Sequence, residues 1–595
     1  MNISRALEQR FARALAGLSA DPAPLASLVR PAQDPKHGDY QANCAMPLSK
    51  ELGQPPRQVA QTIVERLDLG DMLEPPEIAG PGFINLRLRT DWVARQVQAI
   101  APGDRLGVDP AQPPRTIVLD YSSPNVAKPL HVGHLRSSII GDSLTRLLRF
   151  LGHRVVTDNH LGDWGTQFGI LLYGYKNLRD DAAYQRDPVR ELTRLYIEVR
   201  KLFKKKEEDE GEGPIDDPVQ DACRLETAKL HHGDPENVAL WQQFMPHCLE
   251  EINQVYARLG LLPFDHTLGE SFYQPMLAGV VTDLAARGIA EESQGAKVIF
   301  FGDPEKVAPS IVQKRDGAFT YTTTDLATIR YRMDQWQPDA ILYVVGMPQN
   351  VHFKNLFAAA RRWGYEKVDL QHVAFGSVLS AEGKMLATRK GGNTLLGELL
   401  DDAIAAAARV HDRLHQDARE RGEEVMEFTD AEKRAIHEAV GIGAVKYADL
   451  AQARTSDYKF DLAKMTSTEG NTATYMQYAY ARCRSIFRKG EVDDAPFRQT
   501  PPLPELPTPQ ERALALTLLR LPEALAAAAA DNRPNLITAY LWDLSRAYST
   551  FFTHCPVLKA ETPALKQGRL LLCDLTARTI RLGLDLLGIR TIERM

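Results

Sequence analysis

Apolar positions recur along the chain at two periods, and the alternation of those periods divides it. From Ile3 through Leu7, Phe11, Leu15 and Leu18 the spacing is helical. A second helical stretch, Val59 to Leu67, follows Pro55-Pro56. The end of Ile78-Ala-Gly-Pro-Gly-Phe-Ile-Asn-Leu-Arg-Leu88 alternates as a half-buried strand after a Gly-Pro-Gly turn. Together these predict a small α/β domain over 1–112. Behind Pro113-Pro114, the run Ile117, Val118, Leu119 fits a buried parallel strand. After His134, the residues Leu135, Ile139, Ile140, Leu144, Leu147, Leu148 and Leu151 are spaced as a helix, and Gly152 stands where a C-cap belongs. Arg154-Val-Val-Thr157 reads as the next strand.

From about 176 to 300 the pattern is mostly helical. It includes the charged stretch Lys204-Lys-Lys-Glu-Glu-Asp-Glu-Gly-Glu-Gly213, read as a solvated segment. An insertion between two halves of a nucleotide-binding sheet is expected there. Strand-like runs return at Val298–Phe301, Ile341–Val345 and His372–Phe375, so the sheet-bearing region covers 113–395. The rest reads as almost wholly helical, with the alanine runs Ala403 to Ala408 and Leu525 to Ala530 as helix formers. Pro501 to Pro509 is a proline-rich linker within it; a connecting helical region is expected over 396–465 and a helical domain over 466–595.

Composition narrows the classes. At 595 residues the chain is too long for one core. No apolar run is read as reaching membrane-spanning length, and the first ten residues lack a secretory apolar region, so no membrane association is expected. The six cysteines are scattered with no Cys-x-x-Cys pair, which argues against a disulfide framework and a structural zinc site and favours a reducing cytoplasm. A formal net charge of −6 leans mildly against nucleic acid without excluding a local basic face.

The chemistry concentrates in Tyr121-Ser-Ser-Pro-Asn-Val-Ala-Lys-Pro-Leu-His-Val-Gly-His134, which joins the apolar strand to the helix. Ligands of open α/β sheets bind at strand carboxyl ends, and a helix start offers N–H groups and a positive dipole end to phosphate. His131 and His134 are three apart and share a face of a first turn, while Gly133 lets a ligand approach. Asn125 and Lys128 add polar groups to the loop; Asn125 is equally consistent with a turn residue. Asn159-His-Leu-Gly-Asp-Trp-Gly-Thr-Gln167 is a second polar, glycine-bearing loop at a strand end. Asp120 and Asp325 stand at expected strand ends, with Tyr321 one turn before Asp325; Asp325 also fits an N-terminal cap for a helix Leu326 to Arg332, and Tyr321 fits core packing. Glu382 to Gly392 reads by itself as a surface turn. Tyr475-Met-Gln-Tyr-Ala-Tyr-Ala-Arg-Cys-Arg484 mixes aromatics and arginines at helical spacing, which suits either single-stranded RNA or a helix with an aromatic core side.

The run Asp120 to Asp142, Asn159 to Gly169, Tyr321-Thr-Thr-Thr-Asp325, the Gly-Pro-Gly-Phe-Ile-Asn element at 80–85 and the closing Ile592-Glu-Arg-Met595 together resemble the arginyl-tRNA synthetases, across essentially the whole chain. The resemblance implies an α/β, multidomain protein: a Rossmann-like catalytic domain with a helical insertion, a small N-terminal α/β domain that touches the tRNA elbow, and an all-α C-terminal anticodon-binding bundle. It implies a two-step ligase that uses ATP and Mg2+, with tRNA and L-arginine as partners, and activation that waits for tRNA. His131, Gly133 and His134 then look like ATP contacts, with Lys384, Thr388, Arg389 and Lys390 in the phosphate-clamping loop. Asp120, Ser123, Asn125, Tyr321, Asp325 and Gln349 look like arginine contacts, and Tyr475, Tyr478 and Met595 like tRNA contacts. That loop departs from the usual Lys-Met-Ser-Lys-Ser order, which leaves open whether Lys384 or Lys390 holds the phosphates, with Lys128 able to share the role. A monomer is expected, since nothing in the sequence demands a partner subunit. Two rivals stand beside this reading: a sister synthetase for cysteine or another amino acid, and a non-catalytic RNA-binding relative. The first lacks its zinc ligands here, and the second would have lost His131, His134 or the pocket acids.

Overall fold

The structure is a computed structural model that describes residues 2–203, 217–303, 307–380, 383–384, 395–422 and 426–595. The chain divides into two compact units, one formed by Met1–Pro110, Ser467–Leu586 and Arg590–Met595, the other by Ala111–Thr466 and Leu587–Ile589.

In the first unit an antiparallel four-stranded sheet (Val29–Pro31, Tyr40–Ala42, Phe83–Leu86, Glu77–Ala79 in spatial order) carries helices Ile3–Leu15, Pro56–Arg66 and Thr90–Ile100. Ile3, Leu7, Phe11 and Leu15 are buried at the helical spacing that placed them together. The same unit contains a bundle of long helices, Ala473–Gly490, Asn535–His554 and Pro563–Leu586 among them. A partly buried ion pair and a hydrogen bond join sheet and bundle. Arg512 donates from both terminal nitrogens to Asp39, at 2.9 and 2.6 Å, and Tyr40 donates to Glu523 at 2.8 Å. Contrary to the expectation from sequence, one stretch, Pro509–Ala530, is long and apolar enough to cross a membrane by length and composition. It folds as two helices meeting at Arg520 and buries Leu514, Leu518, Leu521 and Leu525 in the bundle core, which accounts for its apolar character.

The second unit is built on a five-stranded sheet, all parallel, in the spatial order Asp369–His372, Ala340–Tyr343, Thr116–Asp120, Arg154–Leu161, His266–Gly269. Chain direction across the sheet reverses between Thr116–Asp120 and Ala340–Tyr343, the switch point outside which such sheets bind ligands. Helix Leu135–Phe150 follows the central strand as expected, and Gly152 takes φ +92° just past its end.

Three expectations change. His266–Gly269 falls within the stretch read as helical insertion, so the helices from Asp181 to Leu259 give way to the sheet's edge strand well before 300. The run Val298–Phe301 overlaps strand Ala296–Ile299, which pairs antiparallel in a separate three-stranded sheet. The last parallel strand is Asp369–His372, and most of the apolar run read as that strand, Val373 to Phe375, is buried beyond its end.

Candidate active site

The loop after the central strand is held by contacts that its sequence makes obligatory. Tyr121 is fully buried, 4.5 Å from Phe264, and lies where a Cβ at Gly141 would come within 2.1 Å of its ring. Ser122 and Ser123 both take left-handed backbone, φ +69° and +46°, a strained pair that only surrounding bonds can maintain. Those bonds are present. Ser122 N–H donates to Ser137 Oγ at 2.8 Å, Ser123 N–H to Asn159 Oδ1 at 3.0 Å, and Ser123 Oγ to Asp120 Oδ1 at 2.8 Å. Beyond them Asn125 bridges to Gly162, where Val126 N–H donates to Gly162 O at 3.1 Å, so the loops following the first two strands are zipped together.

The histidine pair opens the helix through a short 3-10 turn, Val132–His134. Gly133 N–H donates to His131 Nδ1 at 3.1 Å, and His131 N–H donates to His134 Nδ1 at 3.2 Å. Each Nδ1 is therefore an acceptor, which puts the proton of a neutral ring on Nε2, free to donate outward. Both rings resist taking up a second proton. Burial, then the charges of His131 and Lys128, push the His134 imidazole down to about 3; burial and then Lys128 lower His131. The rings sit 4.1 Å apart, and a Cβ on Gly133 would come within 2.8 Å of His131, so glycine is required by the ring as well as by any ligand.

A second group of polar side chains forms around Asp325. Asp325 lies in the second turn of helix Tyr321–Trp336, whose N-cap is Thr320, so it does not cap the helix. Its Oδ2 is 2.6 Å from His352 Nε2, and the Tyr321 ring stands edge-on to His352 at 4.8 Å. Tyr321 is 66% exposed, which excludes core packing. Gln349 is exposed at the end of a 3-10 turn just before helix Asn350–Arg362. Glu270, first residue of helix Glu270–Ala286, makes no hydrogen bond among the described residues. Burial raises its pKa, His160 opposes that, and Asp163 and Asp325 raise it further. Sequence reasoning missed both Glu270 and His352; the Gly269-Glu270-Ser271 junction was the available signal for the first.

Asp120, expected in the arginine pocket, is occupied internally. Its Oδ1 accepts from Ser123 and its Oδ2 from Arg332 Nη2 at 2.6 Å, and its side chain is almost wholly buried. Lys128 is half-buried, with its ammonium pKa lowered by burial and then by Arg200. Lys384 is exposed, and its carbonyl accepts from Ser380 N–H at 2.7 Å. Thr388, Arg389 and Lys390 lie outside the described residues. The chain is described again from Leu395, which bridges to His131, and Leu396 N–H donates to Leu130 O at 2.9 Å, so that segment rejoins beside the histidine pair.

In the other unit, Tyr478 is 42% exposed beneath Arg482, whose guanidinium also covers Phe552, while Tyr475 packs on Trp542 at 5.2 Å. Met595 is partly buried at the end of a tail anchored through Glu593, whose Oε2 accepts from Arg484 at 3.1 Å.

A doubly wound parallel sheet with an imidazole-bearing loop at its switch point is suited to phosphate chemistry on a nucleotide, and the comparisons define the class. Residues 96–462 match the family described as tRNA synthetases class I (R), catalytic domain; residues 476–595 match the DALR anticodon binding domain, and residues 5–88 the arginyl tRNA synthetase N terminal domain. The arginine–tRNA ligase of Rhodopirellula baltica is 44% identical, with 100% of both chains covered, and that of Cronobacter sakazakii is 43% identical, again with 100% of both covered. The crystal structure of arginyl-tRNA synthetase from Plasmodium falciparum superposes with a TM-score of 0.82 at 26% identity, covering 100% of this chain and 99% of that one. The Thermus thermophilus arginyl-tRNA synthetase superposes at 0.80 and 25% identity, with 100% of both covered. The chain belongs to the arginyl-tRNA synthetase family.

Proposed function

We propose a division of labour within a cleft that charges tRNA with arginine, using ATP. A carboxylate oxygen of arginine attacks the α-phosphorus, the bond from that phosphorus to the bridging oxygen breaks, and pyrophosphate leaves. A terminal ribose hydroxyl of tRNA then attacks the activated carbonyl, losing its proton as AMP departs. Positioning and charge stabilisation supply most of the acceleration in such phosphoryl chemistry, so no dedicated general base is assigned.

The observation that carries this reading is the pairing, at one switch point, of two neutral imidazoles with outward Nε2–H donors and a partly buried acid cluster. His131 and His134 donate to phosphate oxygens across the gap left by Gly133, and Lys128 adds a cation, with Lys384, Thr388, Arg389 and Lys390 closing from the clamping loop. Asp325 and Glu270 take the guanidinium, Tyr321 and Gln349 flank it, and Ser123 and Asn125 meet the amino-acid backbone. Asp120 serves through Ser123. Magnesium arrives on the triphosphate; no group of three metal-ligating side chains exists among the described residues, so no protein cage is assigned to it.

Residues 1–112 meet the tRNA elbow, 113–395 form the catalytic domain, 396–465 connect it, and 466–595 read the anticodon with Tyr475, Tyr478 and Met595. The protein acts as a cytoplasmic monomer without membrane association, and activation awaits tRNA. ATP–pyrophosphate exchange across the standard amino acids, with and without tRNA, tests the scheme. Exchange with arginine alone, and only with tRNA, is expected; exchange with another amino acid overturns the pocket, and full exchange without tRNA overturns the ordering.

A further inference from the structure

Asp120 and Asp158 are register partners on adjacent parallel strands, both buried at the sheet's carboxyl end. Two neighbouring carboxylates in such a place form a stronger guanidinium site than any single acid above them, because planar N–H forks bond carboxylates in pairs. The chain fills that site itself. Arg332 Nη2 lies 2.6 Å from Asp120 Oδ2 and 2.8 Å from Asp158 Oδ2, and Arg332 Nε donates to Asp158 Oδ2 at 3.2 Å. Arg332 is fully buried, its guanidinium 5.4 Å from the centre of the Tyr343 ring.

Arg332 sits on the same helix as Tyr321 and Asp325. Asp325 and Arg332 are seven residues apart, close to two turns, and share a face. The group is not a completed structural ion pair: Arg332 Nη1 and Asp158 Oδ1 are buried without a hydrogen bond. Buried ion pairs of this kind contribute little net stability, so positioning is the stronger account of its presence.

We propose that Arg332 is a specificity-determining positioning residue. Its own guanidinium occupies Asp120 and Asp158, leaves Asp325 and Glu270 as the acids open to a substrate guanidinium, and so sets how deep an amino-acid side chain can reach. This rests on the reading of the cleft as an arginine pocket. That reading is checked separately by the wild-type protein, whose failure to activate arginine would overturn it whatever Arg332 does.

The test compares arginine with homoarginine, one methylene longer, in tRNA-supported pyrophosphate exchange by wild type and Arg332→Ala. Emptying the lower site is expected to cut kcat/KM for arginine about a hundredfold and to shift the arginine-to-homoarginine ratio at least about tenfold towards homoarginine. Parallel losses on both substrates would make Arg332 scaffolding and overturn the proposal. Should Arg332→Ala fail to fold, Asp158→Asn retains the bond to Asp120 and removes the one negative charge that the group of Arg332, Asp120 and Asp158 carries in excess. It is expected to raise KM for arginine about tenfold with kcat and KM for ATP held; an unchanged KM for arginine overturns the proposal equally.

Discussion

Two groups of side chains in the sheet-bearing unit treat charge in opposite ways. Around the histidine pair, two imidazoles are held by backbone N–H donors, with pKa values lowered by burial and by Lys128. Around Asp325 and Arg332 the side chains are acids: Asp325 against His352, Glu270 raised by burial and its acidic neighbours, and Asp120 and Asp158 both bonded to Arg332, with Asp158 Oδ1 left over. A guanidinium carries a permanent charge and is matched by fixed acids. Phosphate charge moves during the reaction, from the α-phosphorus to the leaving pyrophosphate, and preoriented N–H dipoles follow it without reorganising.

If that contrast is right, removing charge on the acid side has the largest effect. Asp325→Asn is expected to lower kcat/KM for arginine by about a hundredfold or more, since a buried site built for a charged donor loses its acceptor charge and leaves His352 without its anion. KM for ATP should hold. Exchange measured over an arginine titration decides it, and a variant with unaltered arginine dependence removes Asp325 from the pocket.

Beside the histidine pair stands the Lys128 cation, and a lone contact there is worth less. Lys128→Ala is expected to reduce adenylate formation about tenfold with arginine affinity unchanged. Unchanged pyrophosphate exchange would return the cationic role entirely to the clamping loop.

The histidine group was the legible one. His131, Gly133 and His134 lie within four residues, follow an apolar strand and precede a regular helical pattern, so their place at a helix start was readable from spacing, while the ATP role came from the family resemblance. The acid side assembles from distant segments. Arg332 meets Asp120 across 212 residues and Asp158 across 174, and no local period announces either contact. Asp120 therefore looked available when it was already bonded. Glu270 was hidden because its strand, His266–Gly269, offers a single large aliphatic side chain and adjoins a long helical stretch, so the period-based reading ran through it. Edge strand Asp369–His372 escaped similarly: Leu370 is its only buried residue, while Val373, Ala374 and Phe375 beyond it are all buried and supplied the apolar signal.

The smallest expected effect tests the neutrality of the histidine pair directly. His134 is held near 3 in the folded protein against an unfolded value near 6.5. The folded state thus binds fewer protons than the unfolded chain between those values, and the stability that goes with the neutral ring is complete above about pH 6.5 and is lost as pH falls towards 3. Between pH 7 and 5 this amounts to at most about 2 kcal/mol of pH-dependent stability, which His134→Gln should remove. Nitrogen NMR of histidine-labelled protein gives the sharper readout: His134 is expected to remain neutral, protonated on Nε2, down to pH 5. A ring that charges near pH 6 would add an imidazolium to the Lys128 cation, and the histidine pair would then act through charge and not through neutral N–H dipoles.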